Sequence, residues 1–125
     1  LRLVDNVALP ALLGRSRDGT DAYGRAAELL AQMGLGDHLD AYPSEVSAGE
    51  QRRAVIARAL INDPAMILAD EPTSDLDEQT EIEIMDELLA VNRERGTTLV
   101  LVTHNLALAE QAEQIVHIAG GGIVA

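Results

Sequence analysis

The sequence predicts an α/β fold: parallel strands with flanking helices, preceded by a helical segment. Three observations carry this. Met66-Ile67-Leu68-Ala69 and Thr98-Leu99-Val100-Leu101-Val102 are short apolar runs, and a strand buried in a parallel sheet reads as such a run. The segment between them has helical spacing, so the unit is strand–helix–strand, with parallel strands and a right-handed crossover. Upstream, apolar residues recur at the spacing of a helix. The chain is therefore expected to divide into a helical subdomain over residues 1–64 and a strand-bearing part over residues 65–125.

Each element has a local reason. Leu3-Val4-Asp5-Asn6-Val7-Ala8-Leu9 suggests a short helix, with Pro10 near its middle or its restart. Residues 14–19 are polar and flanked by glycine, hence a loop. Asp21 is expected to cap a helix to about Met33, whose buried stripe is Ala22, Ala26, Leu29, Leu30 and Met33. Gly34-Leu35-Gly36 ends it, residues 37–41 add one turn, and Tyr42-Pro43 is a break. Ser47-Ala48-Gly49-Glu50 is a Ser-x-x-Glu capping box opening a helix through Ala54, Val55, Ala57, Arg58, Leu60 and Ile61. Asn62-Asp63-Pro64 closes that helix. Pro72 lacks the N–H a ladder needs, so it stops the first strand and leaves Asp70 and Glu71 at the carboxyl end. In open α/β sheets ligands bind at that edge. Asp77 caps a helix over residues 78–95 with Ile82, Met85, Leu88 and Leu89 on its buried stripe, and Gly96 stops it. From chain order alone, Thr103 and His104 fall on the same sheet edge as Asp70 and Glu71. Asn105 caps a helix to about Glu113, residues 114–118 form a third strand, and a glycine turn leads to a return strand at Ile123-Val124.

Composition narrows the function. The 125 residues suffice for one modest domain. Without cysteine there is no disulfide and no thiolate metal site. The net charge of -12 and the absence of Phe and Trp argue against nucleic acid as a direct partner. No apolar run approaches a membrane span and no secretory signal opens the sequence. All nine basic residues are arginine, and residues 1–13 read as the middle of something. The chain is expected to be a piece of a longer protein.

Three groups could do chemistry. Asp70 and Glu71 suit a Mg²⁺-nucleotide site, since hard oxygens hold Mg²⁺ and a neighbouring carboxylate can take a proton from water; two exposed turn acids are the alternative. The helix opening at Ser47-Ala48-Gly49 presents free N–H groups that can grip a phosphate oxygen, or Ser47 is only an N-cap. His104 at a strand end could donate to developing phosphate charge, or is a loop residue. Asp75 and Asp77 are candidate loop acids, Asp77 also a helix cap. His38 and His117 read as structural or exposed.

In order and at these spacings, the groups resemble the ATP-binding-cassette ATPases. Val46-Ser47-Ala48-Gly49-Glu50-Gln51 is similar to the family's signature Leu-Ser-Gly-Gly-Gln/Glu, and Ile67-Leu68-Ala69-Asp70-Glu71-Pro72-Thr73 to its Walker B strand. Ser74-Asp75-Leu76-Asp77 resembles the D-loop and Val102-Thr103-His104 the switch histidine. The helix Ala54-Val55-Ile56-Ala57-Arg58-Ala59-Leu60 and the closing Gly-Gly-Ile-Val fit too, and Asp5-Asn6-Val7-Ala8-Leu9-Pro10 is similar to the lipoprotein-release and macrolide-export branch. The resemblance implies a P-loop NTPase-like fold and an ATP hydrolase. It implies that Asp70 helps hold Mg²⁺, Glu71 is the general base and His104 contacts the γ-phosphate. Ser47 and Gly49, with Ala48 and Glu50 beside them, would meet ATP held by the opposite protomer, and Asp75 and Asp77 would line the dimer interface. Two such subunits would sandwich ATP head to tail and drive transmembrane permease subunits from the cytoplasmic face of the cell membrane.

Two departures follow. Ala48 replaces the signature's first glycine, and its methyl crowds the approach to phosphate. The phosphate loop Gly-x-x-x-x-Gly-Lys-Ser/Thr is absent, because there is no lysine. The phosphate-loop half is thus expected to be missing and this piece alone inactive. The resemblance further implies a phosphate-loop strand between the two strands, so that its loss leaves a gap closed by direct pairing, by swapping with a second copy, or left open in a marginally stable piece. Other readings are a C-terminal half-cassette of a chromosome-maintenance or DNA-repair ATPase, and a non-catalytic dimerisation or docking module.

Overall fold

The computed structural model describes residues 1–14 and 19–124. The first half is a cluster of three helices: α1 (Leu3–Leu13), α2 (Gly19–Gln32) and α3 (Ala48–Leu60), each packed on the other two. α1 starts without a side-chain cap of the usual kind. Instead the N–H groups of Leu3 and Val4 donate to the carbonyls of Ala41 and Leu39 at 2.9 and 3.1 Å. A helix's orphan donors are here satisfied by a remote stretch of backbone. Pro10 lies inside the helix, which continues past it to Leu13.

The α2 stripe is as expected: Ala22, Ala26, Leu29, Leu30 and Met33 are all buried. Asp21 does not cap it. The helix begins at Gly19, and Asp21 lies within its first turn, where a carboxylate favours the positive end of the helix dipole. Residues 15–18 of the expected loop over 14–19 lie outside the described residues. Gly34 (φ 79°) ends α2 in the left-handed conformation, and the N–H of the buried Leu35 reaches back to Leu30 O at 2.8 Å. Two short 3₁₀ turns follow, Gly36–His38 and Pro43–Glu45. The second occupies the expected break, because Glu45 Oε1 accepts from Tyr42 N–H at 2.8 Å.

β1 (Met66–Asp70) and β2 (Thr98–Val102) pair in parallel over their full length, from Met66 opposite Thr98 to Asp70 opposite Val102. They are immediate neighbours: of the ways offered for closing the expected gap, direct pairing is the one observed, and the crossover helix α4 (Glu78–Arg95) returns the chain directly beside β1. The pair is covered on one face only. Ile67 and Ala69 are buried while Met66 and Leu68 are exposed. The continuous apolar run thus misled about burial on both faces.

The core is one continuous cluster, from Leu3 and Val7 through Leu30, Leu60 and Ile61 to Ile84, Met85, Leu88 and Leu108. α4 contributes Ile84, Met85, Leu88 and Val91. The expected stripe was rotated: Ile82 is 49 % exposed and Ile84 buried in its stead. α4 packs on α3 on one side and β2 on the other, so its buried face is broader than a single-partner stripe. α5 (Leu106–Ala109) is a single turn rather than a helix to Glu113. Among the described residues none beyond Leu108 is buried, and a short helix without a face to bury does not propagate. The third strand, expected over 114–118, is β3 (His117–Ala119); it pairs antiparallel with β4 (Gly122–Val124) around Gly120 (φ 59°) and Gly121 (φ 79°). Positive φ at both central residues is what a two-residue type I′ hairpin requires.

Candidate functional site

The parallel pair delivers the candidate acids and imidazole to one rim. Glu71 continues the ladder one residue past β1, its N–H donating to Val102 O at 2.8 Å. Its own φ is 46°, a left-handed angle uncommon for a residue with a side chain. The turn aims the carboxylate at the end of β2. There Oε1 accepts from the backbone N–H of His104 at 2.9 Å and lies 3.1 Å from His104 Nδ1, while Oε2 takes only a long contact from Thr103 Oγ1 at 3.4 Å. Thr103 Oγ1 in turn accepts from Asn105 N–H at 3.0 Å. Asn105 does three things: its Oδ1 caps α5 through Ala107 and Leu108, its N–H fixes Thr103, and its Nδ2 donates to Glu81 Oε1 on α4 at 3.1 Å. Glu71 is thus oriented from β2, and β2's end from α4. The imidazole of His104 is 95 % exposed, so it stands open to a ligand.

Asp70 is exposed on the uncovered face of β1 and has no hydrogen-bond or ion-pair partner among the described residues. No group of three potential ligands is assembled for a metal among the described residues. Asp70 offers one exposed hard carboxylate, the kind of ligand that Mg²⁺ takes together with waters and substrate phosphates.

The signature residues stand apart from this rim. Ser47 and Glu50 form the expected capping box: Ser47 Oγ accepts from Glu50 N–H at 3.1 Å and Glu50 Oε1 from Ser47 N–H at 2.9 Å. The Ser47 hydroxyl accepts in that bond and keeps its own proton to donate. The backbone bond from Ser47, aided by its hydroxyl and the charges of His38 and Arg53, holds the Glu50 carboxyl below its ordinary range despite some desolvation. His38 Nε2 lies 3.5 Å from Glu50 Oε2, which gives that histidine its structural place. Ala48 is the first residue of α3 and is exposed. Gly49 is buried, and a Cβ there would come within 2.6 Å of Thr80 Cγ2 on α4. A close approach of helices is therefore one reason for glycine at this position.

Asp77 caps α4, accepting from Thr80 N–H at 3.2 Å; the bonds from Thr80, side chain first, hold its carboxyl below the ordinary range. Asp75, at φ 64°, is a second left-handed residue of the same loop. Sequence reasoning missed Arg52, whose guanidinium donates to Pro72 O at 2.5 Å and Ser74 O at 2.8 Å. The roles of Thr80 and Thr103 were not foreseen either, nor the bonds of Asn105 to Glu81 and Thr103, although Asn105 caps α5 as expected. For Thr103 and Asn105 a signal existed, since both flank His104; for Arg52 nothing marked it out from eight other arginines.

Known proteins decide the family. The profile of the ABC transporter family matches residues 3–74, more than half of the chain. The chain belongs to the ABC transporter family. A macrolide export ATP-binding/permease protein of Aeromonas hydrophila is 53% identical over 97% of this chain and 18% of that protein. A lipoprotein-releasing system ATP-binding protein of Myxococcus xanthus is 48% identical over 96% of this chain and 53% of that one. Among solved structures, a dimeric, ADP- and phosphate-bound ATP-binding cassette matches with a TM-score of 0.80 and 37% identity, over 98% of this chain and 54% of that one. The ABC member described here thus shares the α/β, parallel-strand fold of the cassette ATPases and spans at most about half the length of the relatives it matches. Among its described residues no helix is long and apolar enough to cross a membrane.

Proposed function

We propose that this chain is the C-terminal half of a cassette that, in the whole protein, hydrolyses ATP to power transport across the cell membrane, in the branch of lipoprotein-releasing and macrolide-exporting proteins. The observation that carries it is the contact of Glu71 with His104 at the carboxyl ends of two paired parallel strands. Residues 1–64 form the signature-bearing subdomain and residues 65–125 part of the ATPase core. Glu71 is the general base. Its Oε1 is held by His104 N–H, so Oε2, with only the long contact to Thr103, takes the proton of the attacking water. The water oxygen bonds to the γ-phosphorus as the bond to ADP breaks. His104 contacts the γ-phosphate from its exposed position. Asp70, without a partner of its own, holds Mg²⁺, which when bound neutralises phosphate charge. Ser47, Ala48, Gly49 and Glu50 present the N-terminus of α3 to ATP on a second, head-to-tail subunit, and Asp75 and Asp77 line that interface. Permease subunits receive the motion at the membrane's cytoplasmic face. The phosphate loop comes from elsewhere in the whole protein, because these 125 residues contain no lysine to serve it; alone they do not turn over ATP.

The test is Glu71→Gln in the whole protein. ATP binding stays within about twofold of wild type while kcat falls on the order of a hundredfold or more, the usual contribution of a general base. Undiminished turnover, or loss of binding equal to the loss of turnover, would remove Glu71 from its role. A chain that binds no nucleotide when folded would favour the docking-module reading instead.

A further inference from the structure

The loop between β1 and α4 is held in an unusual shape by little of its own. Glu71 and Asp75 both have positive φ, 46° and 64°. Such angles in residues with side chains persist only where the surroundings impose them. The loop's internal bonds are long: Ser74 N–H to Glu71 O is 3.2 Å and Leu76 N–H to Thr73 O is 3.3 Å. What grips it from outside is Arg52, in the second turn of α3. Its two terminal nitrogens donate to the carbonyls of Pro72 and Ser74, on either side of the buried Thr73. A planar, charged fork spans two carbonyls, which a lysine ammonium on its flexible stem does not reproduce. The neighbouring Arg53 turns to α4 instead, pairing with Glu83 at 2.8 Å.

We infer that Arg52 is a positioning residue: it locks the loop carrying Glu71 and Asp75 to the helix that carries Ser47 and Gly49, and so keeps the Glu71 carboxylate against His104. Beside the α3–α4 packing at Gly49 and Thr80, Arg52 thus joins the two parts of the candidate site directly, and a displacement of the α3 N-terminus is transmitted to the catalytic loop. The structural half of this inference stands on the hydrogen bonds alone; its catalytic half rests on the function proposed above.

The experiment compares wild type, Arg52→Met and Arg52→Lys in the whole protein by amide hydrogen exchange and by ATPase kinetics. The amides of Ser74, Leu76 and His104 exchange on the order of tenfold faster in Arg52→Met, as local opening loses its main restraint, while those of α2 are unchanged. Arg52→Lys is intermediate at the same amides and remains folded if the methionine variant does not. kcat falls on the order of a hundredfold for a base displaced by about an ångström, with KM for ATP within about twofold of wild type. Unchanged exchange at the three amides in both variants, or an equal rise throughout the helices, would overturn the positioning role. If wild type itself fails to hydrolyse ATP, the proposed function falls while the exchange data still judge Arg52.

Discussion

Gly49 and Thr80 meet where α3 crosses the start of α4, and their contact leaves no room for a methyl group. Turning the Thr80 side chain away would give up its bond to the Asp77 carboxylate. Gly49→Ala is therefore expected to destabilise the fold by about 1–3 kcal/mol, the usual cost of overpacking. Adding Thr80→Ser, which removes Cγ2 but keeps the hydroxyl and N–H, recovers most of that loss in denaturant unfolding. Equal destabilisation with and without the serine would assign the glycine to another constraint. At this scale the sequence was legible where side-chain chemistry is local. The Ser47–Glu50 box and the Asp77 cap could be read from spacing, and Glu71 with His104 from strand order. Arg52, the bond from Asn105 to Glu81 and the Gly49–Thr80 contact were not, since each depends on a partner 20 to 31 residues away that only the packed chain supplies.

α4 is the element that ties the site together, and both its ends are defined by single residues. Asp77 opens it and Gly96, at φ 68°, closes it. The carboxyl of Asp77 is held below its ordinary range, so the cap adds stability above the unfolded-state value near pH 4 and loses it as pH falls through the lower folded-state value. Asp77→Asn keeps a capping oxygen but does not titrate. The melting temperature of wild type is thus expected to exceed that of the variant by a constant margin above about pH 5, and the margin to close below about pH 3. A margin independent of pH across that range would contradict the cap's ionisation. For α3, Ser47→Ala removes an uncharged cap and costs about 1 kcal/mol by denaturant unfolding; no change would mean the box is ornamental. The bounds of α3, α4, β1 and β2 could be read in advance because caps, glycine and proline act on neighbours in the chain. The ends of α5 and β3 could not, because what stops them is the lack of any surface to pack on. The Ile82-for-Ile84 error has the same origin: two partners, not one, decide which face of α4 is inside.

Across the molecule the notable asymmetry is the sheet. Its helix-covered face is core, while Met66, Leu68, Val100 and Val102 on the other lie 40–74 % exposed. An apolar patch of adjoining strand residues is unusual on an isolated soluble surface. The 125-residue chain by itself is expected to bind an apolar dye, and Leu68→Thr with Val100→Thr to reduce that fluorescence severalfold. Fluorescence unaffected by the pair of changes would place the dye elsewhere. Periodicity could reveal that β1 and β2 exist but not that one side is bare, because an unbroken apolar run carries no record of what covers it. The deepest claim is that these two strands make Glu71 and His104 one chemical unit. A double-mutant cycle on ATP turnover by the whole protein, with Glu71→Gln, His104→Ala and both together, tests it most directly. Residues acting as a unit are strongly non-additive, so the double variant is expected to be no slower than Glu71→Gln alone, within about threefold; losses that multiply would show that the two act independently and contradict the account.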